Sequence, residues 1–292
     1  MTALPASDVS EVSAAPPQRH GRSVFIRPGV GFAPLELGEL WAARELLYFL
    51  TLRELKLRYK QTVIGVGWAL IQPLLAAAIF TVIFGYFAKM PSGDAPYALF
   101  AFTAVLPWTY FAEAVRRSST GLVSDSELIR KVYFPRLVVP LALVVSPLVD
   151  FAVGFVVLLG LCAWYGVPPS PYILFLPLFL MVAVALALSV SLWLGPLGVR
   201  FRDVMHTLPF LLQVWLYASP VAYPASIVPE QWRLLYSLNP MVGVIEGFRW
   251  VLLGAEHPDF RAMAISGLFI AASLVGGLIH FRRMERSFAD II

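Results

Sequence analysis

Charge is scarce in this chain. Asp, Glu, Lys and Arg make up 14% of its 292 residues, against roughly 25% in a soluble domain. With 59% hydrophobic residues and a mean hydropathy of +0.76, an ordinary soluble protein is excluded and an integral membrane protein is indicated. Cysteine is nearly absent. The single Cys162 excludes an intrachain disulfide and a thiolate metal cluster. Histidines 20, 206, 257 and 280 lie too far apart for their spacing to suggest a metal site, and no metal is expected. No Gly-x-x-x-x-Gly-Lys-Ser/Thr loop occurs, so the chain does not bind ATP in the P-loop manner. His-Glu-x-x-His, Gly-x-Ser-x-Gly and Cys-x-x-Cys are missing too, which leaves an enzymatic role little support and no catalytic residue to name. The first 30 residues lack an apolar core of signal-peptide type, and no cleaved signal is expected.

What the chain does have is uncharged length. Residues 61–88 carry no charge at all, and about 20 apolar residues in a helix cross the hydrocarbon core. Such runs predict an all-α membrane protein with six crossings, near 63–88, 96–114, 137–163, 172–195, 205–222 and 262–281. Residues 1–36, rich in Pro, Ala and Ser, form an N-terminal extension expected to be mostly disordered. An amphipathic helix over 37–61, the six-helix domain over 62–284 and a tail over 285–292 complete the layout. With both termini in the cytoplasm, 15 Lys and Arg fall on the inner side of these crossings and 4 on the outer. An odd number of crossings would break that asymmetry.

The segment before the first crossing reads Leu52-Arg53-Glu54-Leu55-Lys56-Leu57-Arg58-Tyr59-Lys60. At 100° per residue, Trp41, Tyr48, Leu52, Leu55 and Tyr59 make one apolar stripe and Leu46, Leu50 and Leu57 another, roughly opposite. Two stripes suit a helix held between a membrane domain and a cytoplasmic subunit; an in-plane anchor is the simpler alternative. Arg53, Lys56, Arg58 and Lys60 can hold a phosphate or pyrophosphate headgroup. Ordinary attraction to anionic lipid, about 1 kcal/mol per residue, is the competing account. Asp150 is the clearest anomaly, midway along the third crossing. A carboxylate there costs at least ~2.5–3.5 kcal/mol on insertion scales and calls for a partner. It is either a polar point in a conduit or a hydrogen-bonding group that locks helix packing.

Aromatic residues make up 14% of the chain. Phe80, Phe84 and Phe87 form a stripe on the first crossing, and Trp215 and Tyr217 lie in the fifth. Such faces stack on sugars, or simply pack against lipid and protein. Two inner segments resemble docking surfaces, or else are solvated inner loops. One runs over 116–136, with Ser124 or Ser126 as a helix cap, Asp125 and Glu127 in the first turn and Arg130 near the end. The other is Arg200-Phe201-Arg202-Asp203-Val204. An outer segment over 223–257 predicts two short helices, the second capped by Asn239, begun by Pro240 and stopped at Gly254. They carry Trp232, Arg249 and Trp250 and form either an outer gate or a static cap.

The run from Leu52 through Lys60, Gln61-Thr62-Val63-Ile64-Gly65 and Gly67-Trp68-Ala69-Leu70-Ile71-Gln72-Pro73-Leu74 resembles the type-2 ABC exporter permeases for polysaccharides (O-antigen, capsule and teichoic acid). Phe201-Arg202-Asp203-Val204 and Leu238-Asn239-Pro240-Met241 onward to Gly254 match the same pattern in the same order, so the resemblance covers about residues 40–283. It implies a homodimer with two separate ATPase subunits in the bacterial inner membrane. ATP and Mg would be bound on those partners and no cofactor on this chain. The substrate would be an undecaprenyl-pyrophosphate-linked glycan, with no nucleic acid among the partners. It also implies a headgroup site at Arg53, Lys56, Arg58 and Lys60, and a substrate path including Gln72, Phe80, Phe84, Phe87, Asp150, Trp215 and Tyr217. ATPase contacts would come from Arg44, Ser124, Asp125, Glu127, Arg130, Arg200, Arg202 and Asp203. The gate would use Trp232, Asn239, Pro240, Arg249 and Trp250. A secondary transporter or channel without an ATPase is the alternative, and would predict internal repeats and several embedded charges.

Overall fold

The computed structural model describes residues 37–60, 67–124, 134–255 and 259–285. Among these residues every regular element is helical, as the uncharged runs predict. In order they are α1 (Leu37–Ala42), α2 (Arg44–Tyr59), α3 (Gly67–Phe80), α4 (Tyr97–Ser124), α5 (Val138–Val145), α6 (Leu148–Tyr165), α7 (Leu176–Arg200), α8 (Arg202–Tyr217), α9 (Glu230–Tyr236), α10 (Pro240–Leu253) and α11 (Phe260–Glu285). The N-terminal extension, residues 61–66, the tail beyond Glu285, and Asp125, Glu127 and Arg130 lie outside the described residues.

Five segments are long and apolar enough to cross a membrane: Leu70–Phe87, Tyr97–Leu122, Val138–Tyr165, Pro171–Arg200 and Phe260–Glu285. The expected crossing over 205–222 is instead the 16-residue α8. At ~1.5 Å per residue it is about 24 Å long, short of the ~30 Å core. It stops because the chain turns at 218–223, where the Ala218 carbonyl accepts from the side chain of Asn239 at 3.1 Å. Spanning length is therefore present five times among the described residues.

α4 is the hub, in contact with α3, α5, α6, α7, α8 and α10. It is also longer than its uncharged run predicts, continuing through Arg116 and Arg117 to Ser124. Those arginines are helical rather than in a loop. The third crossing is broken at Ser146-Pro147. Proline lacks the N–H that would continue the ladder, so α6 starts afresh and Asp150 falls in its first turn, where the helix dipole favours a carboxylate. The first crossing leaves the α pattern at Thr81–Phe87, a π-helical stretch in which Ala88 N–H donates to the Ile83 carbonyl at 2.9 Å. Its wider turn dissolves the expected aromatic stripe. Phe80 packs on the core and edge-on to Phe84 (5.8 Å), while Phe87 is exposed beside Tyr86 (5.4 Å). α6 and α10 each end on a left-handed glycine, Gly166 and Gly254, a conformation that costs glycine nothing sterically.

Candidate functional site

The basic strip before the first crossing does not act as one unit. α2 packs along α5, with Leu50 buried against Leu137, Val138 and Ala142. Arg53, Lys56 and Lys60 lie on the exposed side. Arg58, about 200° from Lys56 on the helical wheel, turns inward. Its Nη1 donates to Asp150 Oδ2 and its Nη2 lies 3.6 Å from Glu113 Oε1. The Tyr59 hydroxyl donates to the other Asp150 oxygen. Glu113 also accepts from Arg116 at 2.8–3.0 Å and from Arg117 Nε at 2.6 Å. Three helices thus meet in one cluster of three arginines, two carboxylates and a phenol. Burial, and then the hydrogen bond to Asp150, push the Tyr59 phenol up to about 12. The partner that Asp150 requires is therefore supplied by α2. Asp150 is not the only embedded charge, since Glu113, Arg116 and Arg117 lie within the α4 span.

A second charged centre sits where α10 meets the 218–223 turn. Arg249 is 1% exposed. It donates to Glu246 (2.9 Å) and to the carbonyls of Val221 (3.0 Å) and Tyr223 (3.4 Å), with its guanidinium 3.6 Å from the centre of the Phe100 ring. Burial pushes the Arg249 pKa down, and Glu246 opposes that shift. Asn239 is the N-cap of α10 as expected, its Oδ1 accepting from Met241 N–H at 3.1 Å. The same oxygen accepts from Trp215 Nε1 at 2.8 Å, and its Nδ2 donates to Ala218 and Ser219. Pro240 is buried at the first helical position. Trp250 stacks on Tyr172 (4.7 Å) and Phe175 (6.0 Å). Trp232 is exposed and lines an apolar groove of about 510 Å³ with Trp215, Tyr236, Leu235 and Phe269. The residues expected to form a gate thus separate into a packed group (Asn239, Pro240, Arg249, Trp250) and the exposed Trp232 on α9.

The path residues are dispersed. Gln72, Phe87 and Tyr217 are exposed. Trp215 is half-buried, its indole edge-on to Phe111 (5.1 Å). Of the docking residues, Arg44 is exposed and stacks on Trp41 at 5.5 Å. Ser124 closes α4 and donates back to the Gly121 carbonyl at 3.2 Å; the helix it was expected to cap lies outside the described residues. Arg200 ends α7 above the Phe201 ring (5.4 Å), Arg202 opens α8, and exposed Asp203 occupies the first turn of α8.

Sequence reasoning passed over Glu113 and placed Arg116 and Arg117 in an inner segment rather than in a cluster with it. The signal available was the i, i+3, i+4 spacing of a carboxylate and two arginines, hidden because the second crossing seemed to end there.

The family model described as ABC-2 type transporter matches residues 45–253. The chain is 29% identical over 257 residues to the O-antigen export system permease protein RfbA of Myxococcus xanthus, covering 87% of this chain and 98% of that one. It is 26% identical to an RfbA of Klebsiella pneumoniae over 85% and 95% of the two chains. It is 24% identical to the polysialic acid transport protein KpsM of Escherichia coli over 82% and 93%. The match runs from the first turn of α2 to the end of α10 and includes both charged centres, and the chain belongs to the ABC-2 type transporter family.

Proposed function

We propose that this chain is the membrane permease of an ATP-driven exporter that moves a lipid-linked polysaccharide of the O-antigen class from cytoplasm to periplasm. The observation that carries it is the near full-length similarity to permeases named for O-antigen and polysialic acid transport. The lack of a P-loop in this chain supports a reading in which ATP and Mg are held by a separate ATPase, two copies of which serve a homodimer of this chain. The Lys/Arg bias supports both termini in the cytoplasm of a bacterial inner-membrane protein, with α8 completing six membrane-embedded helices.

In mechanical outline, α2 has a buried side against α5 and an exposed apolar side with Tyr48 and Phe49, next to the exposed Trp41 of α1, which suits docking on the ATPase. Force delivered there reaches α4 and α6 through Arg58, Glu113 and Asp150. The exposed flank of α3 (Gln72, Leu75, Ile79), Phe87 at the end of the π-helical stretch, and the exposed flank of α8 (Phe210, Val214, Tyr217) face a glycan path between the two copies. The carrier headgroup is drawn to Arg53, Lys56, Arg58 and Lys60, and α9 opens the periplasmic end.

The test is reconstitution of the chain with its ATPase in vesicles carrying an undecaprenyl-pyrophosphate-linked glycan. Glycan transfer is followed by lectin accessibility. Transfer is expected only with both subunits and ATP. Transfer by the permease alone would refute the exporter reading in favour of a secondary transporter or channel.

A further inference from the structure

Arg58 leaves the exposed basic strip, Arg116 and Arg117 are carried into the bundle by α4, and the three meet around Glu113 and Asp150. Three guanidiniums against two carboxylates leave one positive charge in excess. The cluster is graded in depth. The side chains of Asp150, Glu113 and Arg58 are 14%, 18% and 21% exposed, whereas Arg116 at 50% forms a mouth. Arginine forks bind carboxylate and phosphate with the same paired geometry. Two carboxylates do not saturate three forks: Glu113 takes only the Nε–H of Arg117, and Asp150 divides its two oxygens between Arg58 and Tyr59.

We infer that this cluster is an anion site for the phosphate or pyrophosphate of a membrane lipid, kept closed by the chain's own Asp150 and Glu113. The inference rests on the headgroup reading above and specifies which cations take the anion and what excludes a wrong one. An arriving anion must take the Arg58 fork from Asp150. A phosphodiester brings one negative charge, no more than the carboxylate it would displace. A pyrophosphate brings more charge and more acceptor oxygens, and it wins the exchange. The resident carboxylates therefore reject bulk phospholipid, which is selectivity by a built-in competitor. The exchange also loosens the end of α2 on α6, since it takes Arg58 from Asp150 and leaves the Tyr59 contact.

The experiment uses the full chain in detergent micelles with two probes, undecaprenyl pyrophosphate and phosphatidylglycerol, and counts retained lipid by native mass spectrometry. The wild type is expected to prefer the pyrophosphate lipid by about tenfold or more. Asp150→Asn should raise phosphatidylglycerol retention about tenfold and erase most of that preference. Glu113→Gln, which leaves the Tyr59 contact in place, provides the same test should Asp150→Asn fail to fold. Arg58→Gln and the Arg116→Gln/Arg117→Gln pair should lose the pyrophosphate lipid. If Arg58→Gln loses it but removing either carboxylate leaves the preference intact, the closure is refuted and the headgroup reading stands. If Arg53→Gln/Lys56→Gln/Lys60→Gln abolishes binding while Arg58→Gln does not, the site lies on the exposed strip and this inference falls alone. If the wild type retains neither lipid, both readings fall.

Discussion

Arg249→Met should loosen the outer end of the bundle, where the guanidinium ties α10 to the 218–223 turn. Methionine keeps most of the volume and removes the fork. Glu246, at 27% side-chain exposure, then loses its partner, the carbonyls of Val221 and Tyr223 lose donors, and the Phe100 ring loses the cation above it. Removing one partner of a buried pair costs about 3–5 kcal/mol. Partial hydration of Glu246 and of the turn carbonyls recovers some of this, so the loss is expected near the low end, about 3 kcal/mol. The asymmetry between losing one partner and losing both supplies the internal check. In Arg249→Met/Glu246→Leu no carboxylate is stranded, and a cycle should give a coupling of about 1–2 kcal/mol. Unfolding of the purified chain by SDS in mixed micelles, followed by tryptophan fluorescence, measures all three variants. A loss under about 1 kcal/mol for Arg249→Met, or strict additivity in the cycle, would show that Arg249 does not staple α10 to the turn.

Gly247→Ala would place a Cβ 2.0 Å from Cε1 of Phe179, a ring held edge-on by Trp250. It should destabilise by about 1–3 kcal/mol in the same unfolding assay, and restore wild-type behaviour when combined with Phe179→Leu. Asn239→Ala removes the cap of α10 and strands the Trp215 indole N–H, so about 2–4 kcal/mol is expected. Asn239→Asp keeps both accepting roles, loses only the donations to Ala218 and Ser219, and should cost less. The Tyr59 phenol titrates near 12 when folded against an ordinary 10. Its folded pKa is raised, so its contribution to stability is complete below pH 10 and fades as pH rises through about 12. The absorbance difference between wild type and Tyr59→Phe should accordingly show a phenolate step near pH 12; a step near 10 would contradict the contact with Asp150.

Helix type, and most helix positions, were legible because a bilayer-crossing helix must satisfy its backbone internally and present long apolar runs. Asn239-Pro240 and Gly254 marked α10 for equally local reasons, a cap and a left-handed stop. What failed to show were features set by tertiary contact. The end of α8 depends on Asn239, twenty-two residues beyond Tyr217 in sequence. The π-helical turn after Phe80 accompanies the approach of Gly85 to Tyr97, whose Cγ would lie 2.8 Å from an added Cβ. The grouping of basic residues misled most. Adjacency in sequence put Arg53, Lys56, Arg58 and Lys60 together, yet the helical wheel turns Arg58 away from the other three.

The two charged centres differ in how open their cations are and in what holds them, and on the inference above this separates a structural arginine from a binding one. Around Arg249 a single guanidinium meets one carboxylate, two carbonyls and an aromatic face, and it is sealed at 1% exposure. Its Nε–H has no hydrogen-bond partner, but the group is sealed from approach, and any anion that came would have to unseat backbone groups of the turn. Around Arg58 the cations outnumber the carboxylates, the contacts are between side chains free to exchange partners, and Arg116 keeps the cluster in touch with its surroundings. On the proposed function, a motion that begins with headgroup arrival would have its soft contact at the α2–α6 junction and its fixed reference at α10, and work done by an ATPase on α2 would be spent on the contact that can yield.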